Sequence, residues 1–170
     1  MPKVPVLEKI DVKYKGNYDF DGLYKLIRKW LDDRRYDYME NVYKDKAASP
    51  FGNELELKMK PELKVTPYIK YHVEILIKVF DFKEFEAVID GQNKRISSGR
   101  LFIQIQGAVE YDWQKKFGKG FPAKLQDLMF NKMLKRHFEI KYLDRLAYDV
   151  YHLQSDIKNF LKMESIKSAY

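Results

Sequence analysis

The sequence predicts an α+β fold: a curved antiparallel sheet of about six strands in the order β-α-β-β-β-β-β-α, covered by a long C-terminal helix and a shorter N-terminal one. Three observations predict it. Residues 54–113 alternate apolar and polar side chains over several long runs, the period of half-buried strands. Stripes of helical spacing lie on either side, at Phe20, Leu23, Ile27, Trp30 and Leu31 and again at Leu146, Val150, Leu153, Ile157 and Leu161. A sheet that is apolar on one side must bury that side, and these helices are the available cover.

Val4, Val6, Ile10, Val12 and Tyr14 alternate with polar residues except for a slip at Leu7-Glu8, so residues 4–14 are expected to form a first strand. Pro5 lacks an N–H and places the start of that strand at a sheet edge. Asp19 is an expected N-cap for the helix that follows, because its carboxylate accepts from the free N–H groups of the first turn. Residues 36–46 form an expected second strand, closed by the turn-rich Ala47-Ala48-Ser49-Pro50-Phe51-Gly52.

Leu55, Leu57 and Met59 point one way in the third strand, with Glu54, Glu56, Lys58 and Lys60 on the other side. The fourth sends Ile69, Tyr71, Val73, Ile75, Ile77 and Val79 inward and Lys70, His72, Glu74 and Lys78 outward. Alternation this regular means one face packed and one wet. A fifth strand over residues 82–89 leads to the hairpin signal Asp90-Gly91-Gln92-Asn93. The sixth carries Leu101, Ile103, Ile105, Val109 and Tyr111, with Gly107 as a candidate bulge. Residues 113–120 suggest a loop, and Pro122 suits the first turn of a helix running to about residue 163 with a bend near 139–142. Residues 1–163 are thus one expected domain and 164–170 a flexible tail.

Composition narrows the chemistry. The chain has 170 residues and no Cys, which excludes a disulfide framework, a thiolate metal site and a cysteine nucleophile. No stretch approaches the ~20 apolar residues of a membrane helix, so a cytoplasmic protein is expected. Net charge is +7, and residues 113–136 hold seven cations against the single Asp127, a net +6 within 24 residues. Charge gathered in this way steers anionic partners, whereas spread charge only aids solubility.

The element order resembles the START-like, helix-grip fold, in which a curved sheet wraps a long C-terminal helix. The resemblance implies a pocket for a hydrophobic molecule between helix and sheet. Tyr18-Asp19-Phe20-Asp21-Gly22-Leu23-Tyr24 and Gly107-Ala108-Val109-Glu110-Tyr111-Asp112-Trp113 also resemble segments of small uncharacterised archaeal proteins, a likeness that implies no function.

Four groups of residues are candidate sites. Lys115, Lys116, Lys119, Lys124, Lys132, Lys135 and Arg136 are expected to bind anions, with Trp113, Phe117 and Phe121 as stacking faces. That favours a non-enzymatic binding or assembly protein whose partner is a nucleic acid, an acidic protein or a lipid surface; long strand edges also favour self-association. The plain alternative is a solvated loop. Tyr14, Tyr71, Tyr111, Phe138 and Tyr142 are the candidate lining of a helix-grip pocket, although wide aromatics more often simply fill a core. Glu54-Leu55-Glu56-Leu57-Lys58 matches the E-x-E-x-K pattern of the triphosphate tunnel family. That match implies metal-dependent phosphohydrolase chemistry through Glu54 and Glu56, against the plainer reading of cross-strand Glu–Lys pairs. His72, His137 and His152 are expected on the surface, since none has metal-ligand or triad spacing. No catalytic motif and no cofactor follow from the sequence.

Overall fold

The computed structural model describes residues 3–38, 40–49, 52–89, 92–114 and 139–163. Among them run β1 (Lys3–Pro5), β2 (Ile10–Tyr18), α1 (Phe20–Asp33), β3 (Glu40–Ser49), β4 (Gly52–Met59), β5 (Glu62–Lys64), β6 (Ile69–Ile89) and β7 (Gln92–Tyr111). A π-helical turn, Glu139–Leu143, then leads into α2, Asp144–Phe160. The fold is α+β, with one curved antiparallel sheet and two helices, as the sequence predicts. Residues 115–138 and 164–170, with the expected loop, the helix start at Pro122 and the tail, lie outside the described residues.

β6 and β7 form the spine of the sheet, paired from Ile69↔Tyr111 to Ile89↔Gln92. The other edge of β7 pairs with β1 and then β2. The other edge of β6 pairs with β5 and β4, and β4 carries β3 outside it. Every second residue of the spine is buried, from Ile69 to Val79 and from Leu101 to Val109, and the intervening residues are half-exposed. The period-two pattern therefore translates directly into one apolar face.

Four expectations need correction. The first strand is two, because the slip at Leu7-Glu8 breaks the ladder between β1 and β2. The second starts later than residue 36 and runs through Ala47 and Ala48 to Ser49, with Asp37 making only an isolated bridge to Glu62. The fourth and fifth strands are one. β6 runs 21 residues, ~70 Å at ~3.3 Å each, because Asp81 takes φ 57° and absorbs the irregularity between Phe80 and Lys83 as a bulge. Gly107 is no bulge but sits in regular register opposite Val73.

The irregularity of β7 lies at Gly99 instead. Its φ of +155° suits a residue without a Cβ, and a Cβ there would stand 2.7 Å from the Phe80 carbonyl oxygen. Gly99 is flanked by Gly16 of β2 on one side and by the Asp81 bulge of β6 on the other, so the irregularity crosses three strands in one line. Above Asp81, Arg100 donates from Nε to the Asp81 carboxylate at 2.8 Å.

The helices close the apolar face. Asp19 caps α1 by accepting from the Gly22 N–H at 2.8 Å, and Leu23, Ile27, Trp30 and Leu31 are buried. The helix ends in a left-handed residue, Arg35 (φ 59°), with the Tyr36 N–H returning to the Leu31 carbonyl at 3.0 Å. α2 lies on β7 and β2 and touches α1, burying Leu146, Val150, Leu153, Ile157 and, just beyond its end, Leu161. Among the described residues no helix is long and apolar enough to cross a membrane.

The two glycines of β7 should differ sharply on substitution. Gly99→Ala is expected to lower stability by roughly 2–4 kcal/mol, since backbone must move. Gly107→Ala, whose Cβ meets Leu146 and Val150 at an ordinary 3.4 Å, should lose less than about 1 kcal/mol. Urea denaturation of both variants checks the contrast.

Candidate functional site

The wet face of the sheet carries a connected set of charged side chains beside Trp113. β5 brings Glu62 opposite His72 and Lys64 opposite Lys70, while β7 brings Glu110 opposite Lys70. The His72 ring lies between two carboxylates, with Nδ1 3.1 Å from Glu62 Oε1 and Nε2 2.6 Å from Glu110 Oε2. Lys70 also pairs with Glu62. The His72 side chain is only 13% exposed, which corrects the expectation of a surface histidine. The cause is β5, a strand too short to show in the sequence pattern, which walls off one side of the ring. A cleft of about 300 Å³ opens here, lined in part by Pro5, Lys60, Glu62, His72 and Gln106.

Trp113 is held at the end of this face by a compact turn. Thr66 Oγ1 accepts from the N–H groups of Tyr68 and Ile69, at 3.2 and 2.9 Å. The Thr66 carbonyl then accepts from Trp113 Nε1 at 3.0 Å, and the Asp112 N–H donates to the Tyr68 carbonyl at 2.7 Å. The ammonium groups of Lys64 and Lys70 lie 5.5 and 5.8 Å from the indole centroid, within the ~6 Å reach of a cation–π contact. The ring thus gathers cations, and a base stacking on it must compete with them. The basic segment begins two residues further on, at Lys115. Its members Lys115, Lys116, Lys119, Lys124, Lys132, Lys135 and Arg136, with Phe117 and Phe121, lie outside the described residues.

Of the aromatic group, Tyr71 and Tyr142 meet: the Tyr71 hydroxyl donates to the Tyr142 carbonyl at 2.9 Å, tying the π-helical turn to the sheet. Burial pushes the Tyr71 hydroxyl up from 10.0 to about 12. Tyr14 is far from both. It stands opposite Leu101, eight residues along β7 from the Val109 that faces Tyr71, and its hydroxyl donates to the Asn17 carbonyl at 3.2 Å. Tyr111 is half-buried against Tyr68, and Phe138 lies outside the described residues. Where α2 crosses β7, the contact at Gly107 is direct and leaves no room for a ligand at that point.

Glu54 and Glu56 lie on the outer face, where Glu56 pairs with Lys78 at 3.4 Å and its neighbour Lys58 pairs with Glu74 at 2.6 Å. These are cross-strand Glu–Lys pairs. Among the described residues no group of three or more acidic or histidine side chains is arranged to hold a metal ion. His152 is exposed and packs edge-on against Tyr148 at 4.5 Å, and His137 lies outside the described residues.

A second polar cluster, which the sequence reading missed, sits where α1 meets α2. Arg34 approaches Asp149 at 3.5 Å and covers the Trp30 ring at 4.3 Å, while Tyr36 stacks on Trp30 at 5.7 Å. The buried Tyr36 hydroxyl and Trp30 Nε1 make no hydrogen bond. Burial, with the nearby Asp149 charge, raises the Tyr36 pKa. These residues come together only through the crossing of the two helices, so spacing along the chain gives no sign of them.

No protein-family model matches this sequence, and a comparison with curated proteins finds no match.

Tyr71→Phe should cost roughly 1–2 kcal/mol at neutral pH, because the hydrogen bond that ties the π-helical turn to the sheet is lost. The alkaline limb should also change. A hydroxyl raised in the folded state stabilises the fold below the unfolded value of 10.0, and that contribution disappears as pH rises to about 12. Stability measured from neutral pH upward should therefore fall less steeply in Tyr71→Phe than in the parent.

Proposed function

We propose that this chain is a non-enzymatic binding protein and that its basic segment, residues 115–136, engages single-stranded nucleic acid. The observation that carries the reading is the fixed Trp113, with Lys64 and Lys70 gathered over its ring immediately before that segment. Two cations from the sheet thereby adjoin a run of net charge +6. Phosphate contacts made by such lysines release condensed counterions, which favours binding. Phe117 and Phe121 supply the stacking faces, since lysine groups already lie over Trp113.

The mechanism is electrostatic capture followed by stacking, with little sequence preference. Binding should therefore weaken steeply with salt. The plain character of the outer sheet favours a binding role over hydrolysis, because Glu56 is engaged by Lys78 and Glu74 by Lys58.

Titration of an oligothymidylate by fluorescence anisotropy across a salt series tests the proposal. Replacing Lys115, Lys116 and Lys119 together by Glu should weaken binding at least tenfold and lower the log–log salt slope by about 2. Equal affinity in parent and triple variant would overturn it. Binding that moves instead to anionic lipid vesicles, with the same sensitivity to the triple change, would replace nucleic acid with a membrane surface.

A further inference from the structure

We infer that His72 is a proton-operated clasp between β5 and β7, and that closing it strengthens the grip of the adjoining Trp113 face on an anionic partner. A neutral imidazole has one N–H and one lone pair, whereas both ring nitrogens of His72 stand within hydrogen-bond distance of carboxylate oxygens. A neutral ring satisfies only one of these contacts and turns its lone pair against the other carboxylate. The imidazolium satisfies both, so Glu62 of β5 and Glu110 of β7 are held together across β6 only when the ring carries two protons.

The surrounding charges set the consequence. From β5, Glu62 faces the ring; from β6, Lys70 and Glu74 lie two residues to either side on the same face; from β7 come Glu110 and the uncharged Gln106, with Ala108 directly opposite. Lys3 of β1 stands in register with Glu110, and Lys60 lines the same cleft. Glu74 is engaged by Lys58, and Glu62 is shared between His72 and Lys70. Protonation therefore adds one positive charge beside two carboxylates whose field otherwise offsets Lys64 and Lys70 at Trp113. It also draws Glu62 toward the ring and away from Lys70. Both effects make the Trp113 face more attractive to an anion.

The second half of the inference rests on the nucleic-acid reading above; the clasp itself does not. Oligothymidylate affinity should rise about two- to fivefold on moving from about pH 8 to about pH 5.5. In His72→Gln most of that rise should vanish. A variant with the parent's full pH dependence would overturn the coupling. Amide hydrogen exchange at residues 62–64, corrected for intrinsic rates, tests the clasp without any ligand. Protection that rises on acidification in the parent and stays flat in His72→Gln supports it, and a flat response in both overturns it. A parent that binds no oligonucleotide at any pH, yet shows the exchange difference, sinks the nucleic-acid reading and leaves the clasp standing.

Discussion

The contact of α2 with the inner face of β7 is the constraint on which the rest of this structure depends. The sheet offers a continuous apolar surface from Ile69 to Val79 and from Leu101 to Val109, all of it buried. α2 answers with Leu146, Val150, Leu153 and Ile157, each fully buried and each contributing about 1.5–3 kcal/mol relative to exposure. At Gly107 the approach is close, with Leu146 and Val150 at van der Waals distance from where a Cβ would stand. α1 fills the remaining width through Leu23, Ile27 and Leu31. With the inner face sealed by helices, the charged chemistry of the sheet falls to its outer face and to the ends of its strands.

The outer face gains its character from two short additions to the β6–β7 spine. β1 and β5 have three residues each, too few to stand alone, yet they border His72 and Glu110 on either side. A charged row that would otherwise be open to water becomes half-buried, and electrostatic contacts there are less screened than on a free surface. At the other end of the spine, the left-handed residues Gly16, Gly99 and Asp81 line up across three strands, and β6 continues past them as a single strand of 21 residues into the hairpin.

How much of this was legible in the sequence follows from the range of each interaction. Period-two runs and 4-3-4-4 helical spacing are local signals, so the sheet face, the α2 stripe and the Asp19 cap could all be read directly. Asp81 was not, because a left-handed aspartate inside a strand looks the same in sequence as one that ends it. Gly107 was misread because a glycine in a strand serves equally as a bulge or as room for a helix, and only the position of α2 decides. β5 escaped because Glu62-Leu63-Lys64 is too short to show alternation, and with it went the enclosure of His72. The pairing of Tyr71 with Tyr142, 71 residues apart, and the Arg34–Asp149 contact, 115 apart, depend on tertiary packing alone. Trp113 was singled out for its lysine-rich sequence neighbours, yet the lysines over its ring, Lys64 and Lys70, come from the other side of the sheet hairpin.

Native-state hydrogen exchange across α2 and the spine measures the sealing contact most directly. If helix and sheet share one core, the amides of Leu146, Val150, Leu153 and Ile157 open with the same free energy as those of Ile75, Ile77, Ile103 and Ile105, and that value equals the global unfolding free energy. Exchange from α2 at a distinctly lower free energy, with the spine still protected, would mean that the sheet closes without this helix and would contradict the account.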